Sequence, residues 1–226
     1  MRNITITGSE GLIGTQLTKF FEDDDGVEIN RLDLSLGHDL SDEKFVSNWF
    51  KKNPTDYLVN CFGLNDHVTK EEKNHTLFDV PLENVSKYME INVTALFSVC
   101  REFARNNTSG AIVNFSSTHG IISPDPLLYD GFHKDIGYAI SKAGVINMTK
   151  YLAVHLAPKI RVNCIVAQGV LANQNKKFVE NLSKAIPMKR LMEKNELNDL
   201  VDYLSSEKSS FVTGSVITID GGYTAW

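Results

Sequence analysis

The chain has 226 residues, 23 of them Lys or Arg and 28 Asp or Glu, for a formal net charge of −5. At this length roughly 70 to 75% of the unfolded surface can be buried, and 42% hydrophobic residues suffice for a core that needs neither disulfide nor metal. The mild acidity and scattered basic residues exclude the electrostatic footprint of a nucleic-acid binder, and no run approaches the about 18 apolar residues that would make a membrane a partner.

Met1 to Thr7 enters an alternating apolar pattern at once, without an apolar leader, so the protein is expected in the cytoplasm. Apolar runs then alternate with helical periodicity along the whole chain. Strands are expected at 3–7, 27–33, 57–61, 111–116, 161–166 and 216–220, and helices at 13–22, 42–51, 82–106, 136–156, 176–185 and 195–204. Most of the strands are uniformly apolar, as in a parallel sheet buried on both faces by crossover helices, here as one domain over 1–226. Leu96, Val99, Cys100 and Phe103 form one apolar stripe of the 82–106 helix. Cys61, Cys100 and Cys164 are far apart beside apolar residues and read as reduced core thiols. The segments 63–80 and 118–135 resist assignment, and in an open α/β sheet such loops lie over the strand ends where ligands bind. His67, His75, His119 and His133 fall there, read as surface residues, and no spacing of ligands predicts a metal.

Between the first strand and the first helix lies Thr7-Gly8-Ser9-Glu10-Gly11-Leu12-Ile13-Gly14. Glycines at this junction permit a tight turn and close approach to a pyrophosphate, which the free N–H groups at the helix N-terminus, Leu12 and Ile13 included, would face. Asp33 follows Gly14 by 33 − 14 = 19 residues and ends the second strand, where a carboxylate accepts hydrogen bonds from ribose hydroxyls. Asp33, with Glu10 nearby and Arg31 the adjacent cation, would repel a 2′-phosphate, so the expected cofactor is NAD and NADP is disfavoured.

The motifs that follow resemble those of the short-chain dehydrogenase/reductase family over essentially the whole chain. Asp39-Leu40 matches its adenine-side Asp, Asp56-Tyr57-Leu58-Val59-Asn60-Cys61-Phe62-Gly63 its D-x-L-V-N-N-A-G strand, and Ile91-Asn92-Val93 its helix Asn. Ile112-Val113-Asn114-Phe115-Ser116-Ser117 resembles the strand that ends in its catalytic Ser, and Tyr138-Ala139-Ile140-Ser141-Lys142 its Y-x-x-x-K. Ile160-Arg161-Val162-Asn163, Thr213-Gly214 and Asp220-Gly221-Gly222 complete the set. The resemblance implies a Rossmann-type doubly wound sheet in three α/β/α layers, and an NAD(P)-dependent oxidoreductase interconverting a secondary alcohol and a carbonyl. It implies a catalytic set of Asn92, Ser117, Tyr138 and Lys142, with Gly8, Gly11, Leu12, Ile13, Gly14, Asp33, Asp39, Leu40, Asn60, Gly63, Val170, Tyr138 and Lys142 around the cofactor. Asn60 is expected to act structurally through its amide. Cys61 and Phe62 depart from the usual Asn-Ala, Ala167-Gln168 from Pro-Gly, and Ala172 from a Thr that holds the nicotinamide carboxamide, which shifts that task toward backbone groups near Val170.

Hydride transfer to or from a carbinol carbon needs a group that moves the hydroxyl proton. For the Tyr138 phenol to act near neutral pH its pKa must fall from about 10 by about three units, roughly 4 kcal/mol. Lys142 lies at i+4 on the same helical face, and a cation at about 4 Å in an effective dielectric of about 20 contributes roughly that much. By the same resemblance Ser117, with Ser116 as the competing assignment, would hydrogen-bond the substrate oxygen, and Asn92 would kink its helix and hold a water in a proton relay to Lys142. Ser117 and Tyr138 are 138 − 117 = 21 residues apart, more than compact members of the family carry. The excess is expected to bulge over the pocket, stiffened by Pro124 and Pro126, with Tyr129, Asp130, His133 and Lys134 offered to a hydroxyl-rich or phosphorylated substrate such as a sugar or nucleotide-sugar. The alternatives are reduction of 3-oxoacyl thioesters, for which the charged loop Lys70-Glu71-Glu72-Lys73 offers no clear basic docking patch, and non-catalytic sensing of NAD(H). Apolar positions on helices 82–106 and 136–156 and the aromatic C-terminus from Tyr223 to Trp226 predict a homo-oligomer, a tetramer or a dimer.

Overall fold

The computed structural model describes residues 1–66, 76–129 and 133–225. In chain order the elements are β1 (Arg2–Thr7), α1 (Leu12–Glu22), β2 (Val27–Leu32), α2 (Glu43–Lys52), β3 (Tyr57–Asn60), α3 (Leu82–Met89), α4 (Leu96–Asn106) and β4 (Gly110–Ser117). They continue with α5 (Ile136–Leu156), β5 (Ile160–Ala167), α6 (Lys176–Ala185), α7 (Asn198–Leu204) and β6 (Val216–Ile219). The six strands form one parallel sheet in the order β2-β1-β3-β4-β5-β6. The order reverses between β1 and β3, which opens a crevice above their carboxyl ends.

Helices cover both faces, as the uniformly apolar strands require. On one face Val46 and Phe50 of α2, Val99 and Phe103 of α4, and Val145 and Leu152 of α5 pack on Leu58, Ile112 and Val162. On the other, Leu17 and Phe21 of α1 and Val201 and Leu204 of α7 pack on Ile4, Val59, Val113 and Ile165. The stripe Leu96, Val99, Cys100 and Phe103 is buried as expected. β2 is different: Leu32 is its one buried residue, because it is an edge strand with one neighbour.

Two elements depart from the sequence reading. The single helix expected over 82–106 is broken by a π-helical turn at Glu90–Ala95, which contains Asn92. Asn92 competes for backbone groups and is flanked by the β-branched Ile91, Val93 and Thr94, weaker helix formers than Ala or Leu, which is where a regular helix yields most easily. The helix expected at 195–204 begins at Asn198, after a 3₁₀ turn at Lys194–Leu197.

Polar side chains inside the sheet are linked end to end. The Thr7 hydroxyl donates to Asn60 Oδ1 at 3.0 Å, Asn60 Nδ2 to Asn114 Oδ1 at 2.9 Å, and Asn114 Nδ2 to Thr149 Oγ1 at 3.0 Å. This ladder joins β1, β3, β4 and α5 through groups that are almost wholly buried. Asn114→Ala would strand the Asn60 amide and the Thr149 hydroxyl, so it should cost about 2 to 4 kcal/mol in urea unfolding, and a loss under about 1 kcal/mol would show the ladder to be dispensable.

Candidate active site

The glycine turn is built by close packing. Gly8 has φ +66°, and a Cβ there would stand 2.5 Å from the Phe62 amide nitrogen; a Cβ on Gly14 would stand 2.0 Å from the Gly8 carbonyl oxygen. Gly8 thus lets the loop lie on the exit of β3, and Gly14 lets α1 begin directly on that loop. Gly11 is the N-cap of α1 and no side chain caps the helix, which leaves the first-turn N–H groups of Leu12 and Ile13 toward the crevice. Asp33 stands beside this turn. Its Oδ2 accepts from the Glu10 amide at 3.1 Å and its Oδ1 from the amide and hydroxyl of Ser35 at 2.9 and 2.8 Å. Burial opposes its charge, but the Ser35 and Glu10 hydrogen bonds outweigh that and hold the carboxyl below the usual range. Arg31 is paired with Glu10, so the nearby cation already has an anionic partner. Asp39 closes a turn by accepting from the Ser41 amide and hydroxyl, while Leu40 is buried in the core.

A second group gathers at the ends of β3 and β4. Asn60 carries no free amide toward the crevice, since its side chain belongs to the buried ladder. At the π-turn the Asn92 amide accepts from the Leu64 N–H at 2.6 Å and donates to the Leu64 carbonyl and the Ser141 hydroxyl, each at 3.0 Å. A Cβ on Gly63 would lie 3.1 Å from Asn92 Oδ1 and 3.5 Å from Lys142 Nζ. Glycine here therefore lets the strand exit, the Asn92 amide and the Lys142 ammonium share one space.

The two serines separate cleanly. The Ser116 hydroxyl donates to the Lys142 carbonyl at 2.7 Å, whereas the Ser117 hydroxyl accepts from the His119 amide at 3.2 Å and neighbours Tyr138. Burial pushes the Tyr138 phenol up, and the neighbouring Ser117 hydroxyl opposes it. Lys142 Nζ donates to the Phe115 carbonyl at 3.1 Å and lies 5.8 Å from the centre of the Tyr138 ring, farther than the about 4 Å expected from the i+4 spacing. Burial brings this lysine down to about 8. Val170 pairs with Met192, its carbonyl accepts from Gln174 Nε2, and Gln174 Oε1 accepts from the Ala172 amide, both at 2.7 Å.

Three of these participants were not assigned from sequence. His119, expected on the surface, is partly buried: burial and then Lys134 bring its imidazole down to about 4, its Nε2 lies 3.0 Å from the Tyr129 hydroxyl, and its ring stands edge-on to Tyr138 at 6.2 Å. Ser141 holds Asn92, and its position inside the Y-x-x-x-K motif was the available signal. Gln174 had no signal, because its role depends on the fold of its own loop. His133 is exposed; His67, His75, Asp130, Trp226 and the 70–73 charge cluster lie outside the described residues.

The long 118–137 segment is more than a bulge. Leu128 is buried with Leu182 and Ile186 of α6, Leu191 and Tyr223, and Tyr129 packs on Phe178 at 5.8 Å. The segment thus has a small core of its own and walls a cavity of about 360 Å³ lined by His119, Ile122, Pro124, Pro126, Tyr129, His133, Lys134 and Ala139. Among the described residues no cluster of His, Cys, Asp and Glu has metal-ligand geometry, and no helix is long and apolar enough to cross a membrane.

The family model described as enoyl-(acyl carrier protein) reductase matches residues 26–224. The chain belongs to the short-chain dehydrogenase/reductase family. A glucose 1-dehydrogenase of Gluconobacter oxydans is 33% identical over 159 residues, 66% of this chain and 57% of that protein, so the chain spans little more than half of it. A 3-oxoacyl-[acyl-carrier-protein] reductase of Chlamydia trachomatis is 28% identical over 231 residues, covering 97% of this chain and 86% of that protein. The solved short chain dehydrogenase of Leptospira borgpetersenii with bound NAD+ superposes with a TM-score of 0.83 at 27% identity, over 99% of this chain and 92% of its own. The group bound in that Leptospira protein is a nicotinamide cofactor. The uncapped α1 N-terminus and the tight glycine cradle beside an ionised Asp33 fit such a group.

The depressed Lys142 has a consequence for stability. Below about pH 8 the folded chain bears the full penalty of a buried ammonium, and the penalty fades as pH rises toward the 10.5 of an unfolded lysine. Lys142→Met should therefore stabilise the chain by roughly 2 to 3 kcal/mol near neutral pH and by much less at about pH 10 in denaturant titrations. An equal gain at both pH values would place its origin elsewhere.

Proposed function

We propose that the chain is an NAD-dependent oxidoreductase interconverting a secondary alcohol and a carbonyl on a hydroxyl-rich small molecule, with Tyr138 as acid and base. The observation that carries this reading is the gathering of Ser117, at the end of β4, and Lys142 around the buried Tyr138 phenol, the Lys142 ammonium lying 5.8 Å from the centre of the ring. When bound, the nicotinamide would take or give the hydride. Tyr138 would move the hydroxyl proton, Ser117 would hold the oxygen through the change from alcohol to carbonyl, and the buried Lys142 charge would favour the phenolate. Asn92 holds the strand exit over Lys142 and, by the family resemblance, belongs to the path that returns the proton to solvent.

The substrate class rests on the cavity, whose wall mixes imidazole, phenol and ammonium with Ile122 and two prolines, a lining suited to a polyol or sugar. The named activity of the glucose 1-dehydrogenase relative supports the same class. A second reading, reduction of 3-oxoacyl thioesters, is favoured by the acyl-carrier-protein reductase relative that aligns along 97% of the chain. An assay panel of aldoses and polyols against an acetoacetyl thioester separates the two.

For assembly, we infer a homo-oligomer through α4 and α5. Ile140, Tyr151 and Val154 stand on one stripe of α5, at i, i+11 and i+14, and are exposed, as is Phe97 of α4. Tyr223 does not contribute, being buried against its own chain's third core.

Two variants test the site. NAD should raise the melting temperature far more than NADP, and Asp33→Ser should narrow that difference, because the ionised carboxyl faces the ribose position; equal shifts with both cofactors in the parent chain would remove the argument. Tyr138→Phe should retain the NAD-induced shift and lose about 10³-fold or more in turnover, since the proton path is removed while the ring still packs. Substantial turnover in that variant would end the assignment.

A further inference from the structure

Tyr138 occupies the first turn of α5, and a side chain there leans back over the helix N-terminus, toward the residue four positions earlier. That residue is Lys134. Its Nζ stands 4.4 Å from the centre of the Tyr138 ring, nearer than the Nζ of Lys142 at 5.8 Å. The ring therefore has two ammonium groups against it, from i−4 and i+4. Lys134 Nζ is held in place by the segment that leaves β3, donating to Asn65 Oδ1 at 2.5 Å and to the Asp66 carbonyl at 2.7 Å. That segment is fixed in turn: the Asp66 N–H donates to the Tyr88 hydroxyl at 3.2 Å, and both backbone groups of Leu64 bond the Asn92 amide.

Among the described residues, the side chains in contact with Tyr138 other than the two lysines carry little charge near neutral pH, and the two nearest carboxylates are engaged elsewhere. From α3, Tyr88 meets it edge-on at 6.1 Å and is pushed up to about 12 by burial. From the turn after β4, His119 is held neutral by burial, and from β4 itself Ser117 offers a hydroxyl. Asp135 caps the Gly137 amide and accepts from Asn84, and the Asp66 carboxylate lies 4.0 Å from Lys87. A cation held over an aromatic face stabilises the phenolate more than the phenol.

We propose that Lys134 is a positioning residue for the acid–base step, a second cation that the 118–137 segment delivers to the Tyr138 ring to make the phenol more acidic than Lys142 makes it unaided. This rests on Tyr138 as the acid and base. It ties the ionisation of Tyr138 to the seating of two loops, that after β3 and that after β4, the second of which also walls the cavity.

The test uses the full chain labelled with meta-fluorotyrosine and titrated by fluorine NMR, with Tyr138→Phe identifying the resonance. Lys134→Met should move the Tyr138 midpoint up by about one pH unit, a roughly tenfold smaller phenolate fraction below the midpoint, and Lys134→Arg should return most of it. Thermal melting of each variant checks that the fold is kept. With glucose as the probe substrate, the pH at which kcat reaches half its maximum should shift upward by the same amount while KM stays within about twofold. An unmoved resonance in Lys134→Met, or a shift that Lys134→Arg does not reverse, overturns the proposal, as does a change in KM with no change in the pH profile. A resonance that shifts in a chain whose Tyr138→Phe variant remains active instead sinks the acid–base reading and leaves the electrostatic one standing.

Discussion

The register of three strands and one helix depends on a chain of buried amides and hydroxyls. Thr7, Asn60, Asn114 and Thr149 each find their hydrogen-bond partners in one another, and each sits on a different element. A polar group in a sheet interior is tolerated when its partners are in place, and a displacement by one residue would leave several of these groups unpaired at once. The ladder thus fixes how far β1, β3 and β4 extend before they release the glycine turn, Gly63 and Ser117, with α5 held against them at the height of Tyr138 and Lys142.

Above the ladder the balance between stability and chemistry reverses. Lys142 is a buried cation whose charge the surroundings disfavour, and Tyr138 is a buried phenol whose ionisation is disfavoured as well. Each is an unfavourable burial by itself, yet each charge would favour the other. Such a pair raises the energy of the folded state, an arrangement that concentrates at functional sites. His119 extends it sideways, joining Ser117 through its amide, Tyr138 through its ring and Tyr129 through its imidazole.

The third core explains how a long connection between Ser117 and Tyr138 can still hold both ends in place. Leu128 enters a cluster with α6 and Tyr223, so the segment leaves β4, packs, and returns to α5 at a set position. Without that anchor, ordering so many residues would weigh against the alignment of two hydroxyls. The anchor also makes the cavity wall a part of the fold, coupling α6 and the C-terminal residues to the site.

What the sequence determined by itself was everything that depends on local period and spacing. Alternating apolar runs and helical stripes marked the parallel sheet and its layers, the glycines marked the turn into α1, the placement of Asp33 marked the end of β2, and the interval from Tyr138 to Lys142 put both on one face of α5. Tertiary structure decided what depends on direction and on distant partners. It divided the expected 82–106 helix at Asn92, because the amide has Leu64 and Ser141 to bond only once β3 and α5 are packed beside it. It separated Ser117 from Ser116, adjacent residues that the strand turns to opposite surroundings. It buried Tyr223 and Leu128 together and drew His119 inward, and it brought Lys134 onto the Tyr138 ring. A pattern along a chain records which face a residue occupies; which group waits on that face is settled when elements far apart in sequence close on one another.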